Sequence, residues 1–157
     1  MQSTIYKTIA TFFGLGYAPI APGTFGALGG VLISSFLIYF GLSFEAFQWV
    51  HLILIAIAYM LGVWACRGLQ TEWGDDPSRV VIDETLGFWI AILFLPLTWK
   101  VLLGGFILFR FFDILKPFGI RKLDQWKNPH AVMLDDVAAG IYANIVLQLL
   151  FYSFPNL

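Results

Sequence analysis

Three groups of charged residues stand at the edges of apolar stretches in this 157-residue chain. The first is Asp75, Asp76, Asp83 and Glu84, in WGDDPSRVVIDETLGFW. The second is Arg110, Asp113 and Lys116, in FRFFDILKPFGI, and the third is Asp135-Asp136, in VMLDDVAAGIYANI. Carboxylates drawn together repel one another unless a proton or a cation neutralises them. An all-oxygen donor set suits Mg²⁺ or Mn²⁺ rather than a thiolate-bound metal. Arg110 and Lys116 add charge that suits a phosphate. Asp83, Glu84, Asp113, Asp135 and Asp136 with those two cations form the set that phosphoryl chemistry needs. A metal neutralises oxygens and activates water, while Arg clamps the developing charge.

Each group also has a plainer reading. Asp76-Pro77 reads as an N-cap followed by Pro at the first helical position. Asp83 and Glu84 then fall about two turns later and point roughly 100° apart, so at least one faces protein. Arg110, Asp113 and Lys116 follow the spacing i, i+3, i+6 and lie near one helical face, where they can pair internally. Asp135 and Asp136 read as acids placed at a helix N-terminus. Beyond them Ala139, Gly140 and Ala143 make a small-residue face that permits close helix packing. Asn144, about two turns past Asp136, offers a polar contact deeper in. Upstream, GLGYAPIAPGTFGALGG opposes helix until about Thr24. Pro22-Gly23-Thr24 reads as a loop delivering Thr24 as an N-cap. That helix start is either a plain turn and cap or a site whose free N–H groups suit an anion.

Other chemistries leave little trace. His51 falls within an apolar stretch and His130 in a loop, so no histidine cluster exists for zinc. No Gly-Lys-Ser/Thr phosphate loop and no G-x-S-x-G elbow is present. His51 reads as an interhelical hydrogen bonder, and Cys66, the single cysteine, as a small buried residue that excludes an internal disulfide framework.

The elements that hold these residues belong to a membrane protein. The chain is 59% hydrophobic and 12% charged, with mean hydropathy +0.81. A typical soluble domain carries roughly 25% charge. A net charge of -1 predicts neither nucleic-acid binding nor a polybasic membrane-surface protein. Residues 1–10 hold one Lys and no long apolar run, so no cleavable signal peptide is expected.

A spanning helix needs roughly 20 mostly apolar residues. Residues 25–42, 46–66 and 137–154 qualify. The stretch from Thr85 to Phe112 is longer, but Pro96 and Lys100 divide it. One helix would carry both near mid-bilayer, at a cost in charge burial and backbone hydrogen bonding. A helical hairpin turning at residues 96–100 is expected instead. The expected fold is therefore all-α, a polytopic membrane protein of about five membrane-embedded helices, with the hairpin at 85–112. Residues 1–157 would form a single membrane-embedded catalytic domain.

Five spans put residues 1–24, 67–84 and 113–136 on one side. Counting Arg110 with its adjacent loop, that side holds Lys7, Arg67, Arg79, Arg110, Lys116, Arg121, Lys122 and Lys127, against Lys100 opposite. The positive-inside rule makes it cytoplasmic, with the N-terminus inside. Trp49, Trp64, Trp73, Trp89, Trp99 and Trp126 fall mostly near span ends and read as interfacial anchors.

In order along the chain, these motifs resemble the phosphatidylglycerophosphatase A family. Its members are small bacterial inner-membrane enzymes that remove the terminal phosphate of phosphatidylglycerophosphate in a Mg²⁺-dependent step. Pro19 through Gly26 resembles the family's P-x-x-PGT-x-G block, and Asp76 through Gly87 its block ending DE-x2-G. Phe109-Arg110-x-x-Asp113-x-x-Lys116-Pro117 and Met133-x-Asp135-Asp136-x-x-Ala139-Gly140 resemble its last two signatures. The resemblance covers most of the chain.

It implies Asp83, Glu84, Asp113 and Asp136 as catalytic carboxylates, and these with Asp135 and Asp76 as metal ligands. It also implies Arg110 and Lys116 on the phosphate, with Gly23 and Thr24 near it. The implied cofactor is Mg²⁺ (Mn²⁺ possible), the partner a phospholipid in the bilayer, and the location the bacterial inner membrane with the site facing the cytoplasm. Two departures adjoin that site: Asn128-Pro129-His130-Ala131-Val132 replaces a glycine-rich stretch, and Gly119 stands where a second Pro is usual. The alternative is a divalent-cation transporter or channel using the same carboxylates. Transport sites, however, lie near the bilayer midplane, and these acids gather at one edge.

Overall fold

The computed structural model describes residues 2–75, 77–126 and 128–154, with no side-chain description at Asp124. Among them the chain forms seven α-helices: α1 Gln2–Ala10, α2 Pro22–Tyr39, α3 Phe44–Trp73, α4 Ile82–Ala91, α5 Trp99–Leu115, α6 Ile120–Asp124 and α7 Pro129–Ser153. A 3-10 turn lies at Leu15–Tyr17. Helices α2, α3 and α7 are long and apolar enough to cross a membrane, in agreement with the expected all-α membrane fold. Helix α4 has 10 residues, so it is about 15 Å long, half the roughly 30 Å hydrocarbon core. Helix α5 has 17 residues, near the lower limit for a span. The apolar stretch is therefore broken as expected, but at residues 92–98, slightly before the expected turn.

Three helix starts differ from expectation. Helix α2 begins at Pro22, and its N-cap is Ala21 in the left-handed region (φ 49). Thr24 thus lies inside the first turn and is not the cap. Helix α4 begins at Ile82, whereas Pro77 lies in a turn closed by Val80 N–H to Pro77 O (2.9 Å). The expected start at Asp76-Pro77 is overridden by a tertiary bond: Val81 N–H donates to Ala10 O (2.8 Å), which fixes the approach to α4. Asp76 itself lies outside the described residues. Helix α7 begins at Pro129, where Asn128 Oδ1 accepts the N–H groups of His130 (2.9 Å) and Ala131 (3.0 Å). The departure at residues 128–132 is thus a helix cap. Asp135 and Asp136 consequently sit in the second turn of α7, not at its N-terminus.

Helix α4 is the centre of the packing. Within a bilayer, close contact and interhelical hydrogen bonds must hold helices together, because lipid is as apolar as a core. Thr85 Oγ1 donates to Gly26 O (2.8 Å) and Trp89 Nε1 to Gly30 O (3.2 Å), joining α4 to α2. Trp89 is therefore buried, not an interfacial anchor. On the other flank α7 meets α4 at Gly140. A Cβ there would collide with the Gly87 carbonyl and lie 3.0 Å from Ile90 Cβ. Ala139, Gly140 and Ala143 are all buried, so the small-residue face is used as read.

His51 Nδ1 lies 2.9 Å from Phe47 O, which can only accept. The ring therefore accepts at Nε2 from Ser34 Oγ (2.8 Å), linking α3 to α2. The C-terminal end of α4 falls inside the bundle, where its free carbonyls need partners. Asn144 Nδ2 donates to Ala91 O (3.1 Å) and Leu93 O (2.8 Å), and Gln48 Oε1 accepts the Phe94 N–H (2.8 Å).

Candidate active site

The starts of α4 and α7 converge around three carboxylates. Asp83 and Glu84 occupy the first turn of α4, and Asp136 projects from the second turn of α7. One carboxylate oxygen from each of the three lies within 4.8 Å of the others. Gly87 and Gly140 permit this meeting. Each stands four residues beyond its acid, Gly87 after Asp83 and Gly140 after Asp136, so each shares that acid's helical face. A Cβ at Gly87 would lie 2.9 Å from Asp136 O. The two backbones close on one another one turn below the acids they present. Gly87 was not among the expected site residues, though its spacing from Asp83 carried the signal.

Asp83 and Asp136 are only 7% and 3% exposed, so their charge is set in a dry environment. Burial raises the Asp83 carboxyl to about 6 and lifts Glu84 well above its usual range, the Asp83 charge adding to the latter. Both lie in the loop-side turn of α4, outside the spanning helices.

The cations are already committed to acids. Arg110 pairs with Asp113 one turn on, and its Nη1 lies 4.0 Å from Glu84 Oε1. Lys116 is not on the α5 face. It caps the helix in the left-handed region (φ 47), which turns its side chain to α7, where Nζ donates to Asp135 Oδ2 (2.6 Å). Neighbouring acids on α7 thus have different surroundings: Asp135 is tied to Lys116, and Asp136 joins Asp83 and Glu84. Gly23 lies over the cluster, where a Cβ would collide with Glu84 Oε1 and lie 3.0 Å from Arg110 Nη1. Thr24 follows in the same turn, its N–H bonded to Ala21 O (2.9 Å).

A divalent cation fits these residues. The donor set is entirely oxygen, which matches Mg²⁺ or Mn²⁺. Glu84 Oε2 and Asp136 Oδ1 are buried without a hydrogen-bond partner among the described residues, as is Arg110 Nε. A buried orphan of this kind costs about 1–3 kcal/mol, and more when charged. Two acceptor oxygens beside a spare guanidinium N–H are complementary to a cation carrying an anionic group.

A family model described as Phosphatidylglycerophosphatase A matches residues 8–151. The chain is 46% identical over 143 residues to a Bacteroides thetaiotaomicron protein named "Putative phosphatidylinositol-3-phosphatase", covering 88% of this chain and 89% of that protein. It is 40% identical over 142 residues to Phosphatidylglycerophosphatase A of Haemophilus influenzae, covering 88% and 84%. It is 30% identical over 159 residues to the protein of that name in Escherichia coli, covering 98% and 88%. No solved structure matches the chain.

Proposed function

The chain belongs to the phosphatidylglycerophosphatase A family, and from that premise we propose that it hydrolyses the terminal phosphate monoester of phosphatidylglycerophosphate, with Mg²⁺, at the cytoplasmic leaflet. Membership makes it a membrane lipid phosphatase, a phosphoric monoester hydrolase. The observation that carries the finer reading is the meeting of Asp83, Glu84 and Asp136 beside Arg110. Residues 1–157 act as a single membrane-embedded catalytic domain, with the product phosphatidylglycerol left in the bilayer.

Asp83, Glu84 and Asp136 would hold the metal. When bound, it neutralises phosphate oxygens and lowers the pKa of water at the site. Arg110 clamps the phosphate, using the N–H that finds no partner among the described residues, while Asp113 fixes the guanidinium. Lys116, held by Asp135, supplies a second positive charge at the rim. The start of α2 contributes the Gly23 N–H and the positive end of its dipole, with the Thr24 hydroxyl beside it. Asp113 and Asp135 act as positioning carboxylates around the metal set.

The one-sided basic residues support a cytoplasmic site. The acids lie in first and second helical turns rather than at mid-span, which favours hydrolysis over cation transport. Alanine at Asp83 or at Asp136 should lower phosphate release from phosphatidylglycerophosphate by at least about a hundredfold. Both variants retaining full activity in purified, folded protein would overturn the site.

A further inference from the structure

Beside the carboxylate cluster, across α2's first residue, lies a separate cavity of about 360 Å³. Tyr17 at the end of the 3-10 turn, Pro19 and the first residue of α2, Pro22, line one side, and Ser78 and Arg79 line the other from the segment before α4. Its walls are fixed by close backbone contact: a Cβ at Gly16 would collide with the Arg79 carbonyl. The neighbouring bond from Val81 N–H to Ala10 O ties the second loop down further. The Arg79 guanidinium carbon lies 6.0 Å from the centre of the Tyr17 ring, which holds the side chain along the cavity. Arg79 and Ser78 are exposed, and no ion pair is recorded for Arg79 among the described residues. By contrast, the cavity between Ile9, Phe12, Leu54 and Trp89 has an apolar lining unsuited to an anion.

Position gives the polar cavity its meaning. Pro22 forms part of its wall, and the next residue, Gly23, abuts Glu84 and Arg110. Consecutive Cα atoms are about 3.8 Å apart, so the cavity adjoins the place where the monoester would sit. The proposed substrate carries two phosphates, a terminal monoester and a phosphodiester joined by a three-carbon glycerol bridge. The carboxylates and Arg110 account for the first only. We propose that Arg79 and Ser78 form a second anion subsite that takes the phosphodiester of the lipid substrate. Arg79 would supply planar, charge-assisted donors and Ser78 a hydroxyl donor. A phosphoinositide monophosphate also carries a phosphodiester beside its monoester, so the subsite recognises a feature common to both lipids.

This inference rests on the phosphatase reading, and one experiment separates the two. Steady-state hydrolysis of phosphatidylglycerophosphate is measured in neutral detergent micelles for wild type, Arg79→Gln and Arg79→Lys. Phosphatidylglycerol, which has only the phosphodiester, and inorganic phosphate serve as competing inhibitors. The expected result for Arg79→Gln is a KM and a phosphatidylglycerol inhibition constant each raised about tenfold. The inhibition constant of inorganic phosphate and kcat should shift far less, and Arg79→Lys should recover part of the loss. Wild-type hydrolysis with both constants unmoved in Arg79→Gln would overturn the subsite and leave the phosphatase reading standing. A KM effect seen only when another anionic lipid is added would assign Arg79 to a neighbouring headgroup, which also overturns it. Wild type releasing no phosphate would overturn the phosphatase reading, and the subsite with it.

Discussion

Gly23 is where the start of α2 comes closest to the proposed chemistry. Its backbone is helical, so Ala is conformationally favoured there and should not harm the helix itself. The added methyl, however, would collide with Glu84 and crowd Arg110. Gly23→Ala is expected to retain its helix content by circular dichroism and to lose about a hundredfold in kcat/KM, the scale of an ångström misplacement at a reacting centre. Wild-type kinetics in a folded variant would remove Gly23 from the site. The acids themselves were legible because charge beside an apolar run is expensive and needs a reason. Which of Asp135 and Asp136 joins the cluster was not. Adjacent residues look alike until the phase of α7 is known, and that phase is set by Gly140 against Gly87.

At the scale of elements, the unusual part is a half-length helix carrying two of the three clustered carboxylates. Helix α4 ends within the bundle, and Asn144 on α7 satisfies the two carbonyls freed there. Asn144→Leu leaves them without that donor in an apolar setting, at a cost of about 1–3 kcal/mol. The expected outcome is a lowered thermal midpoint in detergent. An unchanged midpoint would show that α4 needs no such cap. Pro96 and Lys100 made the break in this stretch readable, and hydropathy found the long helices. Hydropathy could not find α1 or α6, which are too short to register as spans. Helix α1 owes its place to tertiary contacts, Tyr6 edge-on to Trp64 at 4.6 Å and Lys7 paired with Glu72. The start of α4 was misread because local sequence carries no sign of the long-range bond from Val81 N–H to Ala10 O, and Pro77 lies in a turn before the helix begins at Ile82.

For the whole molecule, the same lopsided charge has two consequences. Lysine and arginine bias underlies the proposed orientation, and three acids, Asp83, Glu84 and Asp136, gather where helix starts meet. On the proposed function, a site at this edge would take a phosphate headgroup over the carboxylates while its acyl chains stay among apolar helices. Membrane class was legible from composition, and the spanning helices and the expected charge asymmetry from where apolar runs and charges fall along the chain. The closeness of α4 and α7 was not, because it depends on backbones meeting at two glycines far apart in sequence.

The proposed function requires a divalent-cation-dependent lipid phosphatase site on the cytoplasmic face. The most direct measurement is phosphate release from short-chain phosphatidylglycerophosphate added outside sealed vesicles of known orientation, with Mg²⁺ or with a chelator that does not cross the membrane. Vesicles with the cytoplasmic face outward should release phosphate, lose it on chelation and regain it with Mg²⁺, while oppositely oriented vesicles stay inactive. No release in either orientation, or release that persists at full rate under chelation, would contradict the account.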